Sequence, residues 1–204
     1  MKNKTIYVLR HGETDLNKKG MVQGRGVDAP LNETGRQQAL RVYTRLNSVP
    51  FDMVYTSALQ RSQQTVDPFV KASIPHFIHD GFDEISWGDQ EGVMANPEAK
   101  NLYAKTIDGW RRGELNLNVG GGESPLQVME RQQHAMEEVL EKDGANMLIC
   151  MHGRAIRILL CWLLGYPLNY MDGFPHRNCA YYKLILRGDA FFMDQFNETA
   201  HLDD

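Results

Sequence analysis

The chain has 204 residues, of which 42% are hydrophobic and 24% charged, an ordinary composition for a soluble globular protein. It carries 22 basic and 26 acidic residues without a long run of either sign, which argues against a general nucleic-acid binder with a basic face. Collagen, coiled-coil and wholly disordered chains are excluded by composition. A small anionic ligand held by local arginines is compatible with this charge.

The sequence pattern leads us to expect neither a signal peptide nor a membrane span. The apolar run at residues 5–9 is too short for a signal peptide. The most apolar stretch, residues 147–164, is interrupted by His152, Arg154 and Arg157, which disfavours a membrane span. The three cysteines are an odd number without metal-ligand spacing. We therefore expect a cytoplasmic protein with reduced, core-packed thiols.

The first half of the chain alternates apolar runs of strand length with segments of helical periodicity. In chain order, these predict a strand over 5–9, a polar loop over 12–32, a helix over 34–47, a strand over 51–56, a helix from an N-cap at Ser57 to about 70, and a strand over 74–79.

The second half predicts an irregular segment followed by more alternation. The predicted elements are the irregular segment 81–122 with one helix over about 97–107, a helix capped by Ser124 and Gln127 that ends near 142, a strand over 147–151, a helix over 155–164, and hairpin strands over 180–186 and 190–196. Alternating strands and helices predict an α/β fold, a three-layer α/β/α sandwich with a mostly parallel central sheet. We expect one domain over 1–204.

Basic residues follow the carboxyl ends of several predicted strands. They are Arg10, His11, Arg61 and His152. In a parallel sheet these ends lie along one edge, so the side chains are expected to converge although up to about 140 residues separate them. Guanidinium groups match the oxygens of a phosphate, and a neutral imidazole is a competent nucleophile. The sequence therefore predicts a site for a phosphoryl dianion.

Each of these residues also has an ordinary structural explanation when it is taken singly. A histidine after a buried strand is commonly packed and hydrogen-bonded, and Arg61 could be a solvated helix charge. A zinc site is not indicated, because His11 and His152 lack a partner at metal-ligand spacing. The other histidines are interpreted as surface residues: His76, His79, His134, His176 and His201.

Taken together, several segments resemble the histidine phosphatase superfamily, the group that contains cofactor-dependent phosphoglycerate mutase and many small phosphatases. The likeness extends along almost the whole chain and implies a phosphoglycerate mutase-like fold. The matching positions are LRHGET at 9–14, Asn17, Gln23 with Gly24, LNETGRQQA at 31–39, SALQRSQQT at 57–65, EISWGDQEG at 84–92, GES at 122–124 with Arg131, and MHG at 151–153.

The resemblance implies a catalytic role for five residues. His11 would be the nucleophile that accepts the phosphoryl group, and Glu84 would be the general acid and then the general base. Arg10, Arg61 and His152 would hold the phosphoryl oxygens and stabilise the transition state. No metal and no other cofactor is implied, because arginines and an imidazolium supply the positive charge.

The resemblance also implies phosphate contacts from Asn17, Gln23 and Gly24. Two further residues complete the expected phosphate- or substrate-binding set: Gly153, where the helix start adds backbone N–H donors, and Arg154, which either contacts substrate or pairs with an acidic neighbour. Further specificity is expected from the segment 81–122, acting as a cap, and from the turn over 174–178. The substrate is left open among sugar phosphates, phosphoglycolate-like acids and a nucleotide-loop precursor phosphate.

Several positions depart from the family pattern. Arg154 stands where many members carry a small residue, Gln90 stands where the family often has Trp, and Glu84 lacks the following Arg-x-Tyr of the mutase branch. Arg111 and Arg112 are either the paired arginines with which that branch grips a second phosphate or a solvated basic pair. The chain is also shorter than typical mutases of that branch. Hydrolysis is therefore favoured over mutase chemistry.

The leading hypothesis is a metal-independent phosphomonoesterase that hydrolyses a small phosphorylated metabolite and releases inorganic phosphate. The alternatives are a cofactor-dependent phosphoglycerate mutase and a non-catalytic module that binds phosphorylated ligands. Neither nucleic acid nor a membrane is an expected partner. The oligomeric state is open, with a homodimer as one alternative, because Phe191, Phe192 and Phe196 lie on both faces of the predicted hairpin.

Overall fold

The apolar runs of the sequence form the strands of one central sheet. The structure, a computed structural model, describes residues 3–94 and 96–203; the remaining four residues of the predicted domain, one of them in the segment 81–122, lie outside the described residues. The six strands of the sheet are β1 (Lys4–Arg10), β2 (Met53–Thr56), β3 (His76–Ile78), β4 (Asn146–Met151), β5 (Tyr181–Arg187) and β6 (Ala190–Glu198).

The strands lie in the order β3-β2-β4-β1-β5-β6. The first four are parallel, and β5 and β6 continue the sheet as an antiparallel hairpin. Gly188 turns this hairpin at a φ of 61°, a left-handed conformation that glycine adopts without strain. β1 lies between β4 and β5, so its carboxyl end is in the middle of the sheet edge. The predicted mostly parallel sheet and closing hairpin are confirmed.

The described residues include six α-helices between the strands. They are α1 (Asp15–Lys18), α2 (Glu33–Leu46), α3 (Gln60–Lys71), α4 (Pro97–Arg111), α5 (Pro125–Glu141) and α6 (Gly153–Leu163), and 3-10 helices span Asp80–Phe82, Gly88–Gln90 and Leu168–Gly173. The predicted capping box is confirmed, since Ser124 and Gln127 each cap the other's backbone N–H. Within the described residues, none of these helices is both long and apolar enough to cross a bilayer.

Alternate residues of the buried strands pack on opposite faces of the sheet. Ile6 and Val8 of β1 lie in a core cluster with α5 and α6, whereas Tyr7 and Leu9 lie in a second cluster with α2 and α3. This period of two gives helices on both faces, so the predicted three-layer sandwich is confirmed. The cysteines are free and buried, as expected.

Several predicted boundaries are corrected by tertiary contacts. Helix α3 begins at Gln60 rather than after Ser57, and its N-cap residue, Leu59, makes no side-chain cap. The helix predicted to end near 107 continues to Arg111, because Trp110 is 1% exposed and packs in the core. The loop predicted over 12–32 contains α1. Helix α6 begins at Gly153, directly after β4.

Candidate active site

A cavity of about 370 Å³ opens at the carboxyl ends of β1 and β4. Most of the predicted site residues line it: Arg10, His11, Asn17, Gln23, Glu84, Gly153 and Arg154. The rest of its wall is formed by Trp87 and Tyr103 of the predicted cap segment 81–122, by His176 of the turn 174–178, and by two residues that were not predicted, Val22 and Arg157. The convergence at one sheet edge that the sequence predicts is therefore present for these residues.

His11 is a buried, neutral imidazole at the centre of this edge. Its side chain is 3% exposed, and its Nδ1 lies 2.7 Å from the carbonyl oxygen of Gly12. Because a carbonyl only accepts, Nδ1 carries the hydrogen and Nε2 keeps its lone pair. Burial, with the charges of Arg61 and Arg10, lowers the pKa of His11 well below its usual value. The ring thus has the protonation state of a nucleophile.

The loop after β1 is held against the start of α2. A Cβ atom on Gly12 would lie 2.6 Å from the carbonyl oxygen of Gly35, and one on Gly35 would lie 2.1 Å from that of Glu13. The Gly12 N–H donates to Thr65 Oγ1 at 2.9 Å. Only glycines allow this close approach, and it fixes the carbonyl that orients His11.

His152 is directed into the protein by two hydrogen bonds. Its Nδ1 accepts from Arg61 Nε at 3.2 Å, and its Nε2 donates to Ser57 Oγ at 2.7 Å. Its ring centroid lies 5.0 Å from that of His11. Burial, with the charge of Arg61, lowers the pKa of His152 well below its usual value. Ser57 therefore orients His152 instead of capping α3 as the sequence predicts.

Arg61 is fully buried behind the cavity wall. Its Nη1 donates to the carbonyl oxygen of Val27 at 2.6 Å, and its Nη2 donates to that of Gly24 at 3.1 Å. The predicted contacts Arg61, His152 and Gly24 thus lie outside the cavity wall. Arg61 instead places a positive charge behind His11 and holds the loop that carries Gly24.

Glu84 lies at the N-terminus of α6, where backbone N–H groups converge. Its Oε2 accepts from Arg154 N at 3.1 Å, and its Oε1 accepts from Ala155 N at 2.9 Å and Ile85 N at 3.0 Å. Helix N-termini favour negative charge. Arg131 fixes the same segment, since its Nη2 donates to the Glu84 carbonyl oxygen at 3.1 Å. The carboxyl group is therefore held in place on the cavity wall.

Arg10 supplies a cationic donor to the cavity beside His11. Its Nε is buried and has no hydrogen-bond partner among the described residues. Burial lowers the pKa of Arg10 to about 10, although Glu84 acts in the opposite direction. The guanidinium still carries its charge at neutral pH, and an anion in the cavity would satisfy the unpartnered donor.

Asn17 and Gln23 are fixed by contacts within the loop after β1. Asn17 Oδ1 accepts from Thr14 N and from Asn178 Nδ2, both at 3.2 Å, so a ligand would meet its Nδ2 donor. Gln23 Nε2 donates to Thr14 Oγ1 at 2.8 Å. Asn178 Nδ2 also donates to the His11 carbonyl oxygen at 3.0 Å. The sequence prediction named the turn that holds Asn178 but not this residue's role.

Arg154 and Arg157 form a second cationic region of the wall. Both donate from Nη1 to Asp172 Oδ1 at 2.7 Å. Burial alone would raise the pKa of Asp172, but Arg154, Arg157 and Arg111 lower it below its usual value. Arg157 is missing from the predicted site, although it lies three residues after Arg154 and hence on the same side of α6.

The prediction that His176 is a surface residue is wrong. Its ring lines the cavity and packs so closely on Gly153 that a Cβ atom there would lie 2.8 Å from His176 Cε1. Burial, with the charges of Arg10 and Arg157, lowers the pKa of His176 to about 3. Of the remaining histidines, His134 is exposed as predicted. The other three are partly buried: His76, His79 and His201.

Arg111 and Arg112 lie on the exterior of α4 and do not line the cavity. Arg111 pairs with Asp108 and Asp172, and Arg112 pairs with Glu114. Their contacts fit the interpretation as a solvated basic pair. Across residues 3–94 and 96–203, no group of His, Cys, Asp and Glu side chains is arranged to hold a metal ion.

The buried neutral histidines predict an acid-sensitive fold. His11, His152 and His176 each have a lowered folded-state pKa, so below about pH 6.5 the unfolded chain binds more protons than the folded chain. The free energy of unfolding is expected to fall from about pH 6.5 downward, for His176 until its folded-state pKa of about 3, by up to about 1.4 kcal/mol per pH unit for each group. Above that window these groups contribute no pH dependence.

Urea unfolding curves at several pH values measure this slope. The variant His176→Asn should have a shallower slope than the native chain, and the exposed-site control His134→Asn should match the native slope. A free energy of unfolding that stays constant over the window would contradict the neutral, buried state of these rings.

Comparison with known proteins agrees with this geometry. The family model of the histidine phosphatase superfamily (branch 1) matches residues 6–199. A probable phosphoglycerate mutase, GpmB of Shigella dysenteriae serotype 1, is 28% identical over 209 residues, which cover 97% of this chain and 94% of the relative. The solved structure of Bacillus stearothermophilus YhfR is 28% identical with a TM-score of 0.86, covering 98% of this chain and 100% of that one.

A more distant structure shares the fold. Phosphoserine phosphatase from Entamoeba histolytica, solved in complex with 3-phosphoglyceric acid, is 24% identical with a TM-score of 0.83, covering 98% of this chain and 99% of that one. The resemblance stated from the sequence motifs is confirmed by the family match over nearly the whole chain. This protein belongs to branch 1 of the histidine phosphatase superfamily, the phosphoglycerate mutase-like branch.

Proposed function

We propose that this protein is a phosphomonoesterase that hydrolyses a small phosphorylated metabolite through a covalent phosphohistidine at His11. The observation that carries the proposal is the neutral His11 ring, which keeps the Nε2 lone pair in a cavity shared with Arg10 and Glu84. In the first step Nε2 forms a bond to phosphorus while the ester P–O bond breaks. The leaving oxygen takes a proton from the Glu84 carboxyl group.

The backbone around His11 supports this first step. Attack through Nε2 places positive charge on the ring. The carbonyl oxygen of Gly12 stabilises this charge, because it accepts a hydrogen bond from Nδ1–H. Arg10 donates to the phosphoryl oxygens, and the buried charge of Arg61 stabilises them from behind. Asn17 and the N-terminus of α6 at Gly153 complete the proposed phosphate surroundings, and His152 acts from behind the wall by holding Arg61 in place.

In the second step a water molecule replaces the His11 bond to phosphorus. The Glu84 carboxylate takes a proton from this water, whose oxygen bonds to phosphorus as the P–Nε2 bond breaks. Inorganic phosphate leaves, and His11 returns to the neutral state. Three backbone N–H groups hold the Glu84 carboxylate in place during this step. We propose that segment 81–122, which supplies Trp87 and Tyr103 to the wall, selects the substrate.

Mutase chemistry is the second candidate. It is favoured by the similarity to the probable phosphoglycerate mutase GpmB. The exposed, acid-paired positions of Arg111 and Arg112 leave them off the cavity wall and support hydrolysis instead.

Phosphate release from a panel of phosphomonoesters in excess EDTA separates the two candidates. The panel contains sugar phosphates, phosphoglycolate and 3-phosphoglycerate. We expect metal-independent release of inorganic phosphate. If 3-phosphoglycerate instead gives 2-phosphoglycerate without net phosphate release, the hydrolase proposal is wrong. Activity that disappears in EDTA would also contradict it.

A further inference from the structure

The arginines in and behind the cavity wall come from two parts of the chain. The first group is Arg10, at the end of β1, with the buried Arg61; after burial, these are the charges that most lower the pKa of His11. The second group is Arg154 and Arg157, which line the cavity from α6. The second group is therefore available to another anionic group of a ligand bound at His11.

The second group keeps a net positive charge after its internal pairing. Asp172 Oδ1 accepts from both Arg154 and Arg157, and Asp172 Oδ2 accepts from the exposed Arg111 at 3.1 Å. The Asp172 carboxylate offsets one of the two positive charges of the wall arginines, which leaves about one unit of positive charge facing the cavity. The charge of Arg111 adds little, because this side chain is exposed and its charge is screened by salt. This charge suits a monoanion.

Both wall arginines are fixed before any ligand binds. The Arg154 side chain is 7% exposed, its Cζ lies 5.4 Å from the ring centroid of Trp110, and its Nη2 lies 3.5 Å from Tyr103 Oη. Arg157 Nε donates to the Phe174 carbonyl oxygen at 2.9 Å. Groups held in this way lose little conformational entropy when they bind an anion.

We propose that the substrate carries a carboxylate as well as its phosphoester, and that Arg154 and Arg157 bind this carboxylate. The inference rests on the proposed function, because the phosphoester must lie at His11 for the second anion to reach α6. A cavity of about 370 Å³ holds a small phosphorylated acid rather than a polymer. The His176 ring lines the same cavity, and its buried Nδ1 has no partner among the described residues.

Pairs of esters that differ only in the carboxylate test the inference. Phosphoglycolate is compared with 2-hydroxyethyl phosphate, and 3-phosphoglycerate with glycerol 3-phosphate, by kcat/KM for phosphate release. In at least one pair we expect the acid to be preferred by about tenfold or more, the usual worth of charge-assisted hydrogen bonds. Arg154→Gln and Arg157→Gln should each reduce this preference about tenfold, chiefly through a higher KM for the acid.

Two further variants control for indirect effects. Arg154→Lys keeps the charge, so it should restore part of the preference that Arg154→Gln loses. Arg112→Gln, which changes an exposed arginine off the cavity wall, should leave the preference at its native value. A native enzyme without preference in either pair overturns the inference. Arginine variants that slow both members of a pair by the same factor overturn it as well, since the arginines then only maintain the fold.

Binding distinguishes failure of this inference from failure of the proposed function. Calorimetric Kd values for the same ester pairs are measured with His11→Ala, which removes the proposed nucleophile. If His11→Ala binds the acid more tightly than the other ester of its pair, and adding Arg154→Gln abolishes this difference, the carboxylate site is supported even if no ester is hydrolysed. Hydrolysis that requires His11, combined with equal Kd values within each pair, overturns the carboxylate site and leaves the proposed function in place.

Discussion

The variant His11→Ala is expected to lose phosphate release by about four orders of magnitude or more, because it removes the Nε2 that bonds to phosphorus in the proposed mechanism. The neighbouring His152 cannot substitute, since its Nδ1 and Nε2 are bonded to Arg61 and Ser57. Steady-state phosphate release and mass spectrometry of the rapidly quenched enzyme measure the loss. The native enzyme should gain one phosphoryl group that is stable to alkali and labile to acid.

The control for His11→Ala is His134→Ala, which removes an exposed imidazole on α5. This variant should keep native turnover and become phosphorylated to the native extent. Thermal unfolding of both variants confirms that they fold. Near-native turnover by a folded His11→Ala protein would eliminate the phosphohistidine mechanism.

The variant Glu84→Gln is expected to lower kcat by about 10² to 10⁴-fold for alkyl phosphates, the usual contribution of a positioned acid–base group. The amide can neither protonate the leaving oxygen nor take a proton from water. With p-nitrophenyl phosphate, whose leaving group needs no proton, the first step should survive and the second should stay slow. The variant should therefore release a burst of nitrophenol and accumulate phosphoenzyme, as stopped-flow absorbance and quenched samples would record.

Glu137→Gln is the matched control, because Glu137 is exposed on α5 and lies off the cavity wall. It should retain native kcat for both types of ester. Equal losses for alkyl and nitrophenyl esters in Glu84→Gln, without a burst, would mean that Glu84 does not act as the proposed acid and base.

The sheet and its helices could be predicted from local patterns. Continuous apolar runs such as that of β4 fit strands buried on both faces, and the Ser124 and Gln127 capping box marks the start of α5. The prediction failed where a distant group competes with a local rule. Ser57 matches the preference for an N-cap, but its hydroxyl binds His152, which is 95 residues away in sequence.

Residues of the cavity wall could be predicted where they directly follow a strand, because the strand fixes their position. They were missed where their position depends on the course of a loop. Arg10 and His11 follow β1 directly, so the sheet edge places them. The position of His176 depends on the course of the chain after the 3-10 helix Leu168–Gly173, which no periodicity specifies. Arg61 was among the predicted site residues, but its donors bind loop carbonyls at Gly24 and Val27, so it lies behind the cavity wall. Arg157 could have been found from its spacing to Arg154.

The central position of β1 has a consequence for biosynthesis. Both strands that flank it, β4 and β5, come from the last third of the chain. During translation, β1 therefore emerges from the ribosome long before either neighbour can hydrogen-bond with it. Such long-range pairing is slow and leaves an apolar segment exposed in the nascent chain. Until most of the chain has been synthesised, the cavity around His11 cannot form, so the candidate active site is among the last parts of the protein to fold.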